Sequence, residues 1–537
     1  MAKVVKTVAL IAVAVAIVVV AAPFAGAVAG LYGASAATVA AISSAVVGIG
    51  LSIGLGAIGT LFRKSATMSS SMADRLQTQI VPAAPRKIVF GRSAAGNDER
   101  FFEVWGKNKD SYARVVVAAS HRIHAFKKFY IENDETWNGS LVAHSDGIAS
   151  LRTVTEGRPG NGFAVGSGAY WKSTATFTGC AYYAIQYKLS DKAWPSGIPA
   201  RNTMEIEGCP LYDPRLDSSR GGSGPHRIED QSTWSFYSGT IEIGRNPANA
   251  LLTYLIGYRI NGKLAWGMGV PPSAINFDNF RKYANVCEER VQIATGGTTQ
   301  RYTCDGIYST SDTHESVIAS ITAAMGCTKL VDVAGTYSLI GGYDDTLGPK
   351  HAFDDGDIIG MGSWVPAGPL RETYNIVEGK FPDPDELFQV NSWGKIETAP
   401  AADGIPRSLT LDLGCVGRAE TCQRIAKQFI AREQLTPGHF TATFGPKAFA
   451  VQIGDLLTLS HGVRSWNNKL FRVIEQQEVH DMFYQMTLRE ENPEVFAWDK
   501  DEAKPVPFNL RPPGYDASMK ISIEGLRLST ITYQGVS

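Results

Sequence analysis

Between Lys6 and Arg63 the chain carries no Asp, Glu, Lys or Arg, a charge-free run of 56 residues in a protein of 537. Such a run cannot form an ordinary solvated surface, because contiguous apolar area on that scale drives association. Val8 to Val20 is almost wholly Ala, Val, Ile and Leu, and Ile42 to Phe62 is a second, Gly-rich run. A small-residue stretch with Pro23, Tyr32 and Gly33 lies between them. Each run with its flanks approaches the roughly 20 residues that span a bilayer. Lys3 and Lys6 stand at one outer end and Arg63 and Lys64 at the other, as in a hairpin whose ends share one side.

Three readings of residues 1–66 follow. A signal peptide would show this basic start, this apolar core and a cleavage site at Ala25-Gly26-Ala27, although the apolar character continues well past it, to Phe62. A transmembrane or interfacial hairpin is the second reading. The third is a pair of helices buried in a protein assembly, with Gly26, Gly30, Gly50 and Gly54 at the four-residue spacing that lets helices approach closely.

The remainder is of a different kind. Apolar residues make up 44% of the chain and charged residues 19%, with 51 Lys+Arg against 52 Asp+Glu. That balance excludes bulk disorder and lacks the basic excess of a dedicated nucleic-acid binder. Seven scattered cysteines do not write a disulfide framework. A polar boundary from Ser65 to Pro85 precedes a region of short alternating runs, among them those starting at Lys87, Arg114, Lys128 and Ala181. Their β-branched and aromatic content predicts strands, broken by Gly-rich loops at 157–168 and 218–225. Helices are predicted over 246–260, over 277–290 with Asn276 as cap, and from a capping-box-like Asp312/Glu315 start to Gly326. After a strand at Leu409, a helix over about 419–433 precedes strands beginning near His439, Asp455, Lys469 and Met482.

The class expected is therefore α+β, mainly β, and multidomain. The divisions are an apolar segment 1–66, a β-rich domain with long loops 67–244, an α+β middle 245–345, a second β-rich domain 346–504 and a junction 505–537.

Motifs for chemistry are weak. His121 and His124 sit beside a strand-like run without a third ligand, and Asp354, Asp355 and Asp357 lack the spaced oxygens of a calcium loop. Cys415 and Cys422 are too far apart for a CxxC knuckle, while Cys287, Cys304 and Cys327 lie in apolar segments where free cysteine packs as a small hydrophobe. There is no GxSxG elbow and no Walker-type loop. The expectation is a non-enzyme, with no catalytic residue, cofactor or metal.

Several stretches in order resemble one family. Asn246 to Leu255 (NPANALLTYL), Trp266 to Gly269 (WGMG), the segment from Asn276 to Arg290, Arg301 to Gly306 (RYTCDG) and Ala323 to Cys327 (AAMGC) are similar to a run in lambda-type phage tail tip attachment proteins (host specificity protein J). Gly454 to Leu459, Lys469 to Val473 and Leu488 to Asp499 are similar to segments of the same family and of gene transfer agent hub proteins. Trp194 to Pro199 and Leu211 to Arg215 are similar to the close of the first hub domain.

The resemblance implies a structural hub at the tip, or baseplate, of a long non-contractile tail. It implies a homotrimer with two tube-like β-barrel domains per chain, so that three chains present six barrels to a six-fold tube. Its partners would be the distal tail protein, the tape-measure protein and fibre proteins, with phage DNA passing through the lumen without tight binding. The apolar segment would be a luminal plug, later meeting the host inner membrane. Receptor recognition is not carried over, because lambda-type proteins run on into fibronectin-like modules and a fibre, whereas this chain stops at Ser537. Two other classes compete: a membrane-anchored bacterial envelope protein with a β-rich exported body, and a tail-borne cell-wall hydrolase.

Overall fold

A computed structural model describes residues 85–506, with short interruptions at 96–97, 133, 143–146, 191, 195–196, 199–201, 327, 334, 344–347, 369–372, 400–403 and 481. The apolar segment 1–66, with Gly26, Gly30, Gly50 and Gly54, and the junction from 507 onward lie outside the described residues. The chain is mainly β, with four α-helices among the described residues.

The first β body is two four-stranded antiparallel sheets packed face to face. One has the strand order Asp98–Trp105, Ser111–Ala119, Ala181–Lys188, Ile148–Val154; the other has Arg92–Ala95, Asn202–Glu207, Ala125–Ile131, Asp134–Trp137. The alternation of a strand divides the central pair between two cores. Val116, Ala118, Tyr183, Ile185 and Tyr187 meet Phe129, Ile131, Met204 and Ile206 of the second sheet. Ala113, Val115, Val117, Tyr182 and Ala184 point the other way, onto Val165, Trp171, Phe163 and Phe177. The Gly-rich loop after residue 155 is thus a cover for a sheet face. Glu103 clamps it by accepting hydrogen bonds from the Ser167 N–H at 3.2 Å and from its hydroxyl.

The central body is helical. Helix α1, Pro247–Ile256, is capped by Asn246, whose side chain accepts from the Ala248 and Asn249 amides, with Pro247 in the first turn. Every residue of α1 is buried, and it ends at Gly257, φ +82°, so the predicted helix to 260 gives way to a strand at Tyr258–Ile260. Helix α2, Phe277–Glu288, takes its cap from Asn276. Helix α3, His314–Ala323, is capped by Thr313 and not by Asp312, whose carboxylate instead accepts from the Ser309 amide at 2.8 Å. Helix α4, Ala419–Leu435, joins the same core together with the small strands of 376–410 and the fully buried Trp393.

The last β body is one six-stranded sheet in the order His351–Phe353, Leu456–His461, Trp466–His480, Phe483–Glu490, His439–Phe444, Ile358–Val365. Its two end strands are consecutive in the chain, separated only by Asp354–Asp357. Pairing parallel to Leu456–His461 at one end and antiparallel to His439–Phe444 at the other gives both end strands the same direction. The sheet therefore curls until its edges approach, and the Phe353 and Phe444 rings meet with centroids 5.3 Å apart. The two closed barrels expected from the resemblance are not found: every ladder among the described residues is open, this one interrupted at the 354–357 turn and the first body a sandwich. The reason is local. Asp354 and Asp357 form a reciprocal capping box that turns the chain out of the ladder for four residues.

Candidate functional site

The residues that carried candidate chemistry are structural where the fold places them. His121 is fully buried; its Nε2 accepts from the Val89 amide at 2.9 Å and its Nδ1 donates to the Arg122 carbonyl at 2.7 Å. Burial pushes its pKa down to about 4, only partly opposed by the bond to Arg122. His124, half-exposed, stacks on Phe236 and stands 3.8 Å from Glu207. The two imidazoles have different partners and do not converge on a ligand position. His121→Ala leaves the Val89 donor buried and unpaired, so urea unfolding of this variant should show a loss of about 1–3 kcal/mol. Because the native pKa lies below the ordinary value of about 6.5, the contribution of a neutral His121 is complete above that pH and declines as pH falls toward 4.

The 354–357 turn is occupied by protein partners. Asp354 accepts from the Gly356 amide and Asp357 from the Asp354 amide. Asp355 accepts from the Gly462 amide at 2.8 Å and pairs with His461, and Asp357 pairs with Lys447 at 2.7 Å. These contacts tie both edges of the curled sheet to one turn. Among the described residues no group of three His, Cys, Asp or Glu is placed to hold a metal, and no helix is long and apolar enough to cross a membrane. A cleft of about 460 Å³ is an open groove under the covering loop, lined by Arg152, Thr153, Glu156, Asn161 and Phe163. Asn161 is already engaged there, donating to the Glu156 carbonyl and accepting from the Arg158 amide.

What the sequence reading missed is a set of buried and half-buried charges within and between the bodies. Arg245 donates from Nε and Nη2 to Asp305, both at 2.8 Å, and from Nη1 to Glu242 at 2.8 Å. Burial by itself would lower its pKa, but Asp305 and Glu242 more than offset that and raise it. Arg215 makes the same kind of junction, bridging Asp213 and Glu288 on α2 at 2.5 Å each. Arg424 on α4, almost fully buried, donates to the Arg301 carbonyl and to Thr421, and burial pushes its pKa down to about 10. Glu491 lies among Arg432, Arg472 and Arg489. No short-range motif announces such groups, because Asp305, Glu288, Arg301 and Arg432 are each distant in the chain from the partner they meet. This geometry locks sheets to helices and builds a rigid scaffold.

The outer surface offers apolar side chains instead of clefts. Met361 and Val463 are 100% and 90% exposed. They sit on neighbouring segments, since Arg464 donates to the Gly362 carbonyl at 3.2 Å.

No protein-family model matches the chain, and no curated protein does. Solved structures do. A chain of the native gene transfer agent virion is 13% identical, with a TM-score of 0.55 over 85% of this chain and 97% of its own length. A tail protein from Neisseria meningitidis MC58 is 12% identical, covering 79% of this chain and 99% of its own at a TM-score of 0.28. The 43 kDa tail protein of prophage MuSo2 from Shewanella oneidensis is 8% identical, covering 77% and 96% at 0.26. At these identities and scores the likeness that counts is the first, and it is one of fold: the described chain is built like a component of a gene transfer agent virion.

Proposed function

We propose that this chain is a structural hub protein at the tip of a long non-contractile, phage-type tail, where it closes the tube, anchors distal proteins and lines the exit channel for DNA. The observation that carries the reading is the likeness of fold to a virion chain along nearly the whole of that chain. The ordered segments that resemble tail tip attachment proteins point the same way. The site geometry agrees, since its charges are spent on holding bodies together. A formal net charge of −1 suits a conduit, because each Lys or Arg contact to phosphate adds affinity that would retard DNA.

The hub assembles as a homotrimer. Two β bodies per chain then present six to a six-fold tube, one a sandwich and one a curled sheet. The apolar segment 1–66 packs in the lumen as a plug, with Gly26, Gly30, Gly50 and Gly54 at helix contacts, and reaches the host inner membrane on DNA release. Distal tail, tape-measure and fibre proteins are its partners, the last meeting the junction 505–537.

Reconstruction of purified particles tests this. Three copies around the tube axis at the tip, with the N-terminal segment inside the lumen, are expected. One or six copies, or a location away from the tail, would overturn the proposal.

A further inference from the structure

The seam between the central body and the segment 374–435 holds two thiols side by side. Cys304, in the loop before strand Ile307–Ser309, and Cys415, before α4, are both buried, at 0% and 1% exposure. Three observations fix their proximity. The Asp305 amide donates to the Cys415 carbonyl at 2.6 Å. A Cβ placed on Gly306 would fall 2.9 Å from the Cys415 Cβ. The Cys304 and Cys415 thiols also shift one another's pKa, as neighbouring side chains do. A disulfide needs Cα atoms roughly 4.4–6.8 Å apart, a separation that the backbone hydrogen bond between Asp305 and Cys415 allows.

We propose that Cys304 and Cys415 form a disulfide when the chain meets an oxidant of the disulfide class, stapling segment 374–435 to the central body. The inference does not depend on the tail reading. The interaction with Cys304 holds the Cys415 thiol below its ordinary value, whereas the interaction with Cys415 and burial push Cys304 up. Cys415 is thus the first nucleophile. Its thiolate attacks glutathione disulfide, forming a mixed disulfide and releasing one glutathione thiolate. Cys304 then loses its proton and attacks the Cys415 sulfur, releasing the second glutathione. Two protons and two electrons pass from the pair to the oxidant, which is reduced to two glutathiones. Neither sulfur is reachable in the closed fold, so the exchange proceeds through transient opening of the seam or during folding. The bond closes a loop of about 110 residues, a length at which cross-linking strongly restricts the unfolded chain.

The test uses the full chain, purified reduced and incubated with glutathione disulfide in urea just below the unfolding midpoint. It is then alkylated in denaturant and digested without reductant. The expected product is a peptide pair containing Cys304 and Cys415, two hydrogens lighter than the sum, released by dithiothreitol and still formed in Cys422→Ser. The oxidised chain melts a few degrees higher than the reduced one. Recovery of both cysteines alkylated or as glutathione adducts, a Cys415–Cys422 link, or a lower melting temperature would overturn the proposal.

Discussion

Asp305→Ala lowers the unfolding free energy by about 3 kcal/mol, because it removes two charge-assisted hydrogen bonds from the half-buried Arg245 guanidinium. Asp305 is 3% exposed and receives both Nε and Nη2 of Arg245. The same carboxylate accepts from the Arg92 amide at 2.9 Å, and the Asp305 amide donates to Cys415. One carboxylate therefore joins the second sheet of the first β body to the turn that leads into α1, while the backbone of the same residue reaches the segment before α4. The fit is close: Gly91, at φ +65°, brings its backbone against this carboxylate, and a Cβ there would lie 2.4 Å from Oδ1. Asp305→Asn keeps the shape and part of the hydrogen bonding while Glu242 still neutralises Arg245, so its loss is smaller than that of Asp305→Ala. Urea unfolding of the two variants and the parent at neutral pH measures the difference. Equal stability of Asp305→Ala and the parent would refute the role given to this pair.

How far the fold was legible depends on the range of the interactions that fix it. Asn276 was readable as a cap because capping is settled within three residues, and the strands at 87, 181 and 439 declared themselves through alternation. Thr313 displaced Asp312 by one position for an equally local reason: Asp312 is taken by the Ser309 amide, leaving the next hydroxyl to accept from Ser316. The long-range features were not readable. In helix α1, Asn249 and Thr253 are as buried as its leucines, because Asn249 donates to Asp213 and Thr253 accepts from the Tyr212 amide. Nothing near those positions in the chain announces those partners. Likewise, alternation identifies strands without saying whether a sheet closes. The candidate site suffered most. Histidines and aspartates can be counted in a sequence, but whether they are spent on backbone amides is decided by the packing.

Glu491 gives the second large effect, with a pH signature of its own. It lies 4% exposed just beyond the strand Phe483–Glu490, accepting from Arg472 Nε at 2.7 Å, with Arg432 at 3.4 Å and Arg489 at 3.9 Å. Arg472 belongs to the curled sheet and also donates to the Gly454 carbonyl; Arg432 belongs to α4 and donates to the Gly341 carbonyl. One carboxylate is thus the electrostatic joint between the last β body and the central core. Removing its charge while three guanidiniums remain costs about 3–5 kcal/mol, and Glu491→Gln isolates that cost because it preserves the volume. Burial tends to raise the Glu491 pKa, but Arg432, Arg472 and Arg489 outweigh it and hold the group below the ordinary carboxylate range. A depressed native pKa means that the stabilisation is fully present above the unfolded value of about 4.3 and is lost as pH falls from there through the native value. The parent should therefore lose stability in acid that Glu491→Gln has already lost at neutral pH. The two urea midpoints, well separated at pH 7, should converge below pH 4. Parallel curves across that range would show that the joint is held by packing and not by the charge.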